Sequence, residues 1–80
     1  MISSRFIWNI TQTKKVKIKE IREYSIVWNV DANKFDVLVF GFFGGGVAVH
    51  SSESKEECRR FINDLTEGKE VVVKEEDTTV

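Results

Sequence analysis

The sequence has no proline, one cysteine and one histidine among 80 residues. Because proline is absent, no extended segment loses a backbone donor, and every strand can pair fully in a sheet. The lone cysteine excludes an internal disulfide, so stability must come from packing, and a reducing compartment is expected. The opening MISSRFIWNI has no apolar run long enough for a signal peptide or a membrane span. We therefore predict a cytoplasmic protein that has no membrane partner.

The side chains needed for a metal site or a reaction are also scarce. His50 has no second histidine beside it, and Cys58 lies on the apolar stripe of a predicted helix, where a buried thiol is unreactive. The carboxylates cluster on the helix surface and in the tail, where solvation accounts for them, and no pair has contrasting environments. We predict structural roles for His50 and Cys58, no catalytic residue, no metal and no cofactor, and hence no enzyme activity.

Glycine is concentrated in one place, since four of the five glycines lie in VFGFFGGGVAVH, residues 39–50. A phosphate-binding Walker loop needs a lysine and a hydroxyl after its last glycine, but Gly46 is followed by valine and alanine. A dinucleotide-binding fingerprint needs a middle glycine between Gly41 and Gly46, where Phe43 stands. The glycines therefore predict a hairpin turn, with anion binding by their backbone amides as the alternative.

The length predicts one small domain, which buries only about 60–65% of the surface of its unfolded chain, so dimerisation would add stability. The net charge of −1 is unevenly distributed. Residues 1–30 carry six basic and two acidic side chains, whereas residues 31–80 carry six basic and eleven acidic ones. This asymmetry indicates either a partner-binding face or complementary surfaces within one fold.

Alternation of apolar and polar residues predicts strands over the first two-thirds of the chain. In TKKVKIKEI, Val16 and Ile18 face one side and the lysines face the other. After a turn at DANK, the run FDVLVFGF is apolar on both faces and is predicted to lie centrally in the sheet, followed by the short strand GVAVH. Two other segments place large apolar residues on one face, which we expect to be buried: Phe6, Trp8 and Ile10 in RFIWNI, and Tyr24, Ile26, Trp28 and Val30 in EYSIVWNV.

The period changes to that of a helix from Ser54 to about Glu67. SKEE at the start predicts a capping box, in which the Ser54 hydroxyl accepts from the Glu57 amide and the Glu57 side chain reaches back. Gly68 is placed to end the helix. The apolar stripe at helical spacing consists of Cys58, Phe61, Ile62 and Leu65.

Strands followed by one helix predict an α+β fold, with an antiparallel four- to five-stranded sheet and one C-terminal helix packed on one face. The segment KEVVVK, residues 69–74, is a candidate edge strand. We predict a single α+β domain over residues 1–74. The acidic EEDTTV, residues 75–80, is expected to be a disordered tail.

Three lysines offer a lead to function, because Lys15, Lys17 and Lys19 project from one face of a predicted strand about 7 Å apart. This spacing is close to that of phosphates along a nucleic-acid backbone, so one single strand could track along them. Nearby tryptophans would supply stacking platforms of about 1–3 kcal/mol per base. Trp8 and Trp28, however, each fall on the more apolar face of their strand and are expected in the core. A row of lysines also protects a strand edge from pairing with other chains, which is the structural alternative.

VWNVDANKFDVLVF followed by GVAVHSSESKEECRRFINDL resembles the positive cofactor 4 type of single-stranded-DNA-binding coactivators and their small bacterial relatives. The shared pattern is a strand ending in Trp-Asn, a turn, a Lys-aromatic-Asp-aliphatic strand, a glycine-led strand and a closing helix, over roughly Val27 to Leu65. The closing segment HSSESKEECRRFINDL equally resembles that of small bacterial and phage proteins with a β-meander and a helix. The first resemblance implies a curved four-stranded sheet, a homodimer formed through the helix, and binding through Trp28 as a stacking residue and Lys34 as a backbone contact.

The function we predict first is a small non-catalytic intracellular binding or regulatory module that acts through a protein–protein surface, as a homodimer. Because FDVLVFGF is apolar on both faces, one face remains for a protein partner after the helix covers the other. The candidate partner-binding residues are Val37, Val39 and Phe43. The alternative is a single-stranded nucleic-acid-binding protein that uses Lys15, Lys17, Lys19, Trp28 and Lys34.

Overall fold

The computed structural model describes residues 5–42 and 44–75. Within these residues, one helix and a mostly antiparallel sheet of four strands form an α+β fold, beside a separate two-stranded hairpin. The predicted α+β class is thus confirmed. The elements in chain order are β1 (Phe6–Trp8), β2 (Lys15–Lys17), a 3-10 turn (Ile18–Glu20), β3 (Ile21–Asn29), β4 (Lys34–Gly41), β5 (Gly44–Ser52), α1 (Lys55–Leu65) and β6 (Val73–Glu75).

The four-stranded sheet has the order β5-β4-β3-β6. β3, β4 and β5 form an antiparallel meander, and β6 returns after the helix to pair with β3 in parallel. The turn between β3 and β4 is closed by Asn29, whose Oδ1 accepts the amides of Asp31 at 3.1 Å and Ala32 at 3.2 Å. Asn33 completes the turn with φ 55°, a left-handed conformation that asparagine tolerates. The predicted DANK turn is therefore confirmed.

One face of the sheet forms the floor of the core. The register places Tyr24 opposite Val39 and Ile26 opposite Val37, so these side chains point to the same side. The exposed fraction of Ile26, Val37 and Val39 is 0%, and that of Tyr24 is 3%. The roof comes from two elements, the apolar stripe of α1 and the β1–β2 hairpin, because Cys58, Ile62 and Val16 belong to the same cluster.

The helix starts after Ser54, whose Oγ accepts from the Glu57 amide at 3.3 Å, as predicted. The predicted return contact of the Glu57 side chain is replaced by hydrogen bonds that pass through the Ser52 hydroxyl. The Ser52 hydroxyl donates to the Glu57 carboxylate at 2.6 Å and accepts the Ser54 amide at 3.1 Å. At the far end, Glu67 takes the left-handed position after the Thr66 cap with φ 57°, and its amide donates to the Asp64 carbonyl at 3.2 Å. Gly68 follows with φ 76°, and its amide donates to the Asn63 carbonyl at 2.9 Å, so the glycine takes part in ending the helix but lies one residue beyond the usual glycine position.

The three consecutive glycines lie in β5 rather than in the hairpin turn. Phe42 lies in a turn, and the pairing of Gly41 with Gly44 places the three glycines at the start of the next strand. A Cβ at Gly46 would lie 2.8 Å from Cζ of Phe40, whereas a Cβ at Gly45 would meet nothing within 4 Å. Gly46 therefore allows the ring of the neighbouring strand to pack across the β5 backbone.

The first two predicted strands do not join the main sheet. Instead they form a hairpin of their own, and the lysine-bearing strand ends at Lys17, where the 3-10 turn begins. The expected burial of Phe6, Trp8 and Ile10 is wrong, since their exposed fractions are 43%, 48% and 47%. The segment RFIWNI is apolar on both sides, and the side that carries Ile7 packs against the core instead.

β6 lies at one end of the strand order, as expected of the candidate edge strand, but of the predicted residues 69–74 only Val73 and Lys74 belong to it. It pairs with β3 through Val73 opposite Tyr24 and Glu75 opposite Ile26. Glu75 is thus part of a strand, one residue beyond the predicted domain boundary. Residues 76–80, the rest of the predicted tail, lie outside the described residues.

Candidate functional site

The outward side of the β1–β2 hairpin carries two aromatic rings and two lysines. In the antiparallel register, Phe6 pairs with Lys17 and Trp8 pairs with Lys15. Because side chains alternate along a strand and directly paired residues share a face, these four lie on one side of the hairpin. All four are exposed to solvent. We call Phe6, Trp8, Lys15 and Lys17 the hairpin patch.

The side chains on the inward side of the hairpin pack against the core, and this determines that the hairpin patch faces solvent. Ile7 pairs with Val16, and both pack against the core, where Val16 is only 2% exposed. Two further contacts hold the ends of the hairpin. The Ile10 amide donates to a carbonyl of β5 at 2.9 Å, and the Arg5 guanidinium donates to the carbonyl of the last residue of α1 at 3.3 Å. The hairpin patch is consequently presented to solvent by a body anchored on both flanks.

The connection between β1 and β2 is organised by one asparagine. The Asn9 amide donates to the Lys14 carbonyl at 2.9 Å, and its side-chain Oδ1 accepts the amides of Thr13 at 2.8 Å and Lys14 at 3.1 Å. Asn9 Nδ2 also donates to Thr13 Oγ1 at 3.0 Å. Asparagine is favoured at such positions because its side chain can hydrogen-bond nearby backbone groups. The turn therefore holds the two short strands in register.

A lysine ammonium lies close to both rings of the hairpin patch. Lys15 Nζ is 4.9 Å from the centre of the Phe6 ring and 5.4 Å from the centre of the Trp8 ring. Both distances fall within the range of attraction between a cation and an aromatic face. This contact places a positive charge next to both rings.

The hairpin is uniformly basic. Residues 5–19 contain five basic side chains and no acidic one, although the whole chain has a net charge of −1. Among the described residues, Lys15 and Lys17 form no salt bridge, while Arg5 pairs with Glu67 at 3.0 Å. The positive potential is thus a local property of the hairpin. The five basic residues are Arg5, Lys14, Lys15, Lys17 and Lys19.

The structure brings together only part of the predicted nucleic-acid site. Lys15 and Lys17 share the hairpin patch, and Lys19 follows in the 3-10 turn. Trp28 is half-buried and packs edge-to-face on the Phe35 ring, with 4.8 Å between centres and 67° between planes. Lys34 is exposed at the start of β4, at the turn end of the sheet. Neither Trp28 nor Lys34 belongs to the hairpin patch.

The predicted partner-binding residues do not form a free surface. Val37 and Val39 are fully buried beneath α1 and the hairpin, which corrects their assignment as partner contacts. The physical reason is that the helix stripe covers the odd-numbered face of β4. Leu38 and Phe40 point to the opposite face and are half-buried. Phe43 lies outside the described residues.

The alternation of apolar and polar residues in β1 does not by itself predict that Phe6 and Trp8 are exposed in the hairpin patch. That alternation predicts Phe6 and Trp8 in the core, because Asn9 on the opposite side is polar. The sequence signals only that Val16, the apolar residue of β2 between two lysines, points inward. The register that pairs Val16 with Ile7, and so turns Phe6 and Trp8 outward, comes from the folded hairpin.

His50 and Cys58, the only histidine and cysteine of the chain, each contact a phenylalanine of the fold. The Cys58 thiol donates to the Phe35 carbonyl at 3.7 Å, and burial, with two neighbouring carboxylates, raises the pKa of this thiol above its ordinary value. It therefore remains protonated at neutral pH, which makes it a poor nucleophile. The His50 ring stacks on Phe61 with 4.2 Å between centres. Among residues 5–42 and 44–75, no group of three or more His, Cys, Asp or Glu side chains is arranged to hold a metal ion.

Comparison of the chain with protein-family models, with curated proteins and with solved structures found no match. The resemblance to the positive cofactor 4 type of coactivators therefore stays a prediction. In the described part of the chain, no helix is long and apolar enough to span a membrane. Function is accordingly inferred from the geometry and charge of the hairpin patch.

Proposed function

We propose that this protein is a non-catalytic module that binds single-stranded nucleic acid through the hairpin patch. The observation that carries the proposal is the placement of Phe6 and Trp8 beside Lys15 and Lys17 as exposed neighbours on one face. Proteins that bind single strands combine aromatic rings, on which bases stack, with cations that follow the phosphate backbone. The hairpin patch supplies both kinds of group.

The spacing of the two rings suits neighbouring nucleotides. Phe6 and Trp8 stand two residues apart on one strand, which separates them by about 7 Å. A ring face can stack on a base only where that base is unpaired and accessible, so the patch favours single strands over duplexes. Each stacked base contributes about 1–3 kcal/mol.

The charges of the hairpin supply the attraction for phosphate. Lys15 and Lys17 lie beside the rings, and no acidic residue occurs between positions 5 and 19 to compete with phosphate for them. Screening at physiological salt limits such interactions to about 8 Å. Glu67 of the acidic second half pairs with Arg5 at 3.0 Å, but no described carboxylate forms a salt bridge with Lys15 or Lys17, so these two charges remain available to phosphate.

The test is the binding of a labelled oligo(dT) of about 15 nucleotides, a length in the range that small single-strand binders cover. We expect the affinity of the wild-type protein to fall as salt rises, because each phosphate that a lysine neutralises adds about −0.7 to the logarithmic slope. Lys15→Gln together with Lys17→Gln should make that slope shallower, and Trp8→Ala should weaken binding by about 5- to 150-fold at constant salt.

The matched control is Lys34→Gln, which removes the same charge from an exposed lysine at the turn end of the sheet. Its affinity and salt slope should equal those of the wild-type protein. Absence of binding by the wild-type protein at low salt would overturn the proposal. Equal reductions of affinity in Lys34→Gln and in the Lys15→Gln, Lys17→Gln variant would also overturn it, because net charge alone would then explain binding.

A second candidate function is self-association through the sheet face opposite α1, which keeps the homodimer predicted from the sequence. Leu38 and Phe40 are half-buried on this face, and Phe42 beside it is 75% exposed. The face carries both signs of charge. Arg22 lies 4.2 Å from the Phe42 ring near one end, and Asp36 lies near the other. A two-fold contact with a second copy of the chain would bring each charge toward its opposite.

Sedimentation tests this second candidate independently of nucleic acid. A dimer at micromolar concentration is expected, and Phe42→Ser should convert it to a monomer without unfolding, because the ring is exposed. Val30→Ser, which alters an equally exposed apolar residue in the turn between β3 and β4, is the control and should remain dimeric. A wild-type monomer at these concentrations would overturn self-association and leave the hairpin patch unaffected.

A further inference from the structure

A cleft of about 280 Å³ lies between the open end of the β1–β2 hairpin and the C-terminal end of α1. The hairpin contributes Arg5 just before β1 and Lys19 just after β2, and Lys69 comes from the segment that follows the helix. Tyr24 of β3 forms part of the wall. The apolar lining consists of Ile18, Leu65 and Val71.

Tyr24 brings a polar atom into this cleft. Its side chain is more than nine-tenths buried, with 3% of the residue exposed, yet its hydroxyl makes no hydrogen bond to any residue in 5–42 or 44–75. In that same part of the chain, no fully enclosed side-chain oxygen or nitrogen lacks a partner, so the unpaired hydroxyl keeps contact with solvent, and the cleft is the solvent space that Tyr24 lines. Burial, opposed by the nearby Arg5 charge, raises the pKa of the phenol. The hydroxyl is therefore protonated at neutral pH and available as a donor.

The charges around the cleft favour an anion. Arg5, Lys19 and Lys69 carry three positive charges against one carboxylate, that of Glu67. The Arg5 guanidinium is held by Glu67 at 3.0 Å and by the Leu65 carbonyl at 3.3 Å, so it also offsets the negative end of the helix. Lys19 and Lys69 are exposed and form no salt bridge with another described residue.

We propose that this cleft binds the terminal phosphate of the strand that lies on the hairpin patch, an inference that rests on the proposed function. The cleft lies at the open end of the hairpin, next to the Phe6–Lys17 pair of the patch, so a strand end reaches it by passing around that end. A terminal phosphate monoester carries about −1.5 to −2 charges at neutral pH, more than a phosphodiester within the strand. A cleft with an excess of two positive charges and a phenol donor thus favours a strand end over the interior of a strand.

The experiment compares three oligo(dT) molecules of one length, with a 5′-phosphate, with a 3′-phosphate and with hydroxyls at both ends, as competitors for the wild-type protein. One of the two phosphorylated ends should bind about tenfold more tightly than the unphosphorylated strand, because charge-assisted hydrogen bonds form only there. Tyr24→Phe, which keeps the buried ring, should lose most of this gain and still bind the unphosphorylated strand as the wild type does. Lys69→Gln should behave in the same way, whereas Lys34→Gln should keep the full gain.

Each other result has a distinct meaning. If all three strands bind equally, the cleft does not hold a strand end, and the inference is overturned while the proposed function stands. If no strand binds, the proposed function fails and this inference fails with it. An NMR titration with inorganic phosphate, run in parallel, then shows whether the cleft binds phosphate in the absence of a strand. Amide shifts at Tyr24 and Lys69 without strand binding would assign the cleft to free phosphate. An unchanged gain in Tyr24→Phe would also count against the cleft.

Discussion

The guanidinium of Arg59 donates two hydrogen bonds to the carboxylate of Glu75, from Nε at 2.7 Å and from Nη2 at 2.6 Å. This bidentate pair joins α1 to β6, the parallel strand at the edge of the sheet. Lys55 Nζ approaches the same carboxylate at 3.9 Å. Because β6 has only three residues, all of them exposed, this pair is the main side-chain tie between the strand and the helix.

The first prediction concerns the pH dependence of that tie. The hydrogen bonds from Arg59 hold the pKa of Glu75 below its usual value, so the contribution of the pair is complete above the ordinary glutamate pKa and is lost as the pH falls through the lowered one. In an NMR titration, the Glu75 carboxyl should have a midpoint below that of a model glutamate. Arg59→Gln should move this midpoint upward, and acidification should reduce hydrogen-exchange protection of the β6 amides.

Arg60→Gln is the matched control for that experiment, because Arg60 is the next residue of α1 and forms no salt bridge with Glu75. The Glu75 midpoint should be unchanged in this variant. A Glu75 midpoint at the model value in the wild-type protein would contradict the hydrogen-bonded pair.

The second prediction compares two adjacent glycines of β5. Gly46→Ala places a methyl group 2.8 Å from Cζ of Phe40, so the free end of this half-buried ring must swing away, and we expect a loss of about 1 kcal/mol in the free energy of unfolding, the low end of the cost of overpacking. Gly45→Ala meets no atom within 4 Å and should change stability by less than about 0.5 kcal/mol. Urea denaturation of both variants is the measurement. Equal stability of the two variants would show that the Phe40 ring does not lie across Gly46.

The third prediction separates two residues that the sequence pattern places on one buried face. Ile26 is 0% exposed, whereas Val30 is 77% exposed in the turn after β3. Ile26→Val should lower the free energy of unfolding by about 0.5–1.5 kcal/mol, because it leaves a gap in the core. Val30→Ala should leave that free energy within about 0.5 kcal/mol of the wild-type value. Thermal or urea unfolding checks both, and a larger loss of stability at Val30 would contradict the described turn.

The fourth prediction uses the two tryptophans as reporters. Trp8 is exposed in the hairpin patch, and Trp28 packs on Phe35 at the end of β3 that leads into the Asn29 turn. Addition of oligo(dT) should quench the fluorescence of the Trp28→Phe protein, whose remaining tryptophan stacks on a base. The Trp8→Phe protein should show little change on binding. Quenching confined to Trp28 would place the nucleic acid on the sheet end and not on the hairpin.

The helix is the element that the sequence predicts best. Its apolar stripe, its serine cap and its terminal glycine are all local signals, and each is present in the structure near the expected residue. The predicted capping box is only half right, since Glu57 contacts Ser52 instead of returning to the backbone. Ser52 belongs to β5, so that hydrogen bond depends on how the strand enters the helix, which spacing alone does not express.

In the strands, the local pattern of apolar and polar residues does not determine which face is buried. FDVLVFGF carries large apolar residues on both faces, so alternation does not say whether Val37 or Leu38 points under the helix. The helix stripe selects the face of Val37, and the expected partner surface disappears with that choice. The parallel pairing of β6 with β3 is equally absent from the pattern, because it is decided by where the chain emerges after the helix.

By itself, the sequence determined the α+β class, the helix and its ends, the meander turn at Asn29 and the lysine alternation around Val16. These depend on periodicity and on side chains that act within a few residues. Only the tertiary structure decided that Ile7 and Val16 face the core together, which turns Phe6 and Trp8 outward beside Lys15 and Lys17. The reason is physical: a strand with large apolar residues on both sides buries whichever side completes a core built from distant elements, and the other side becomes the surface.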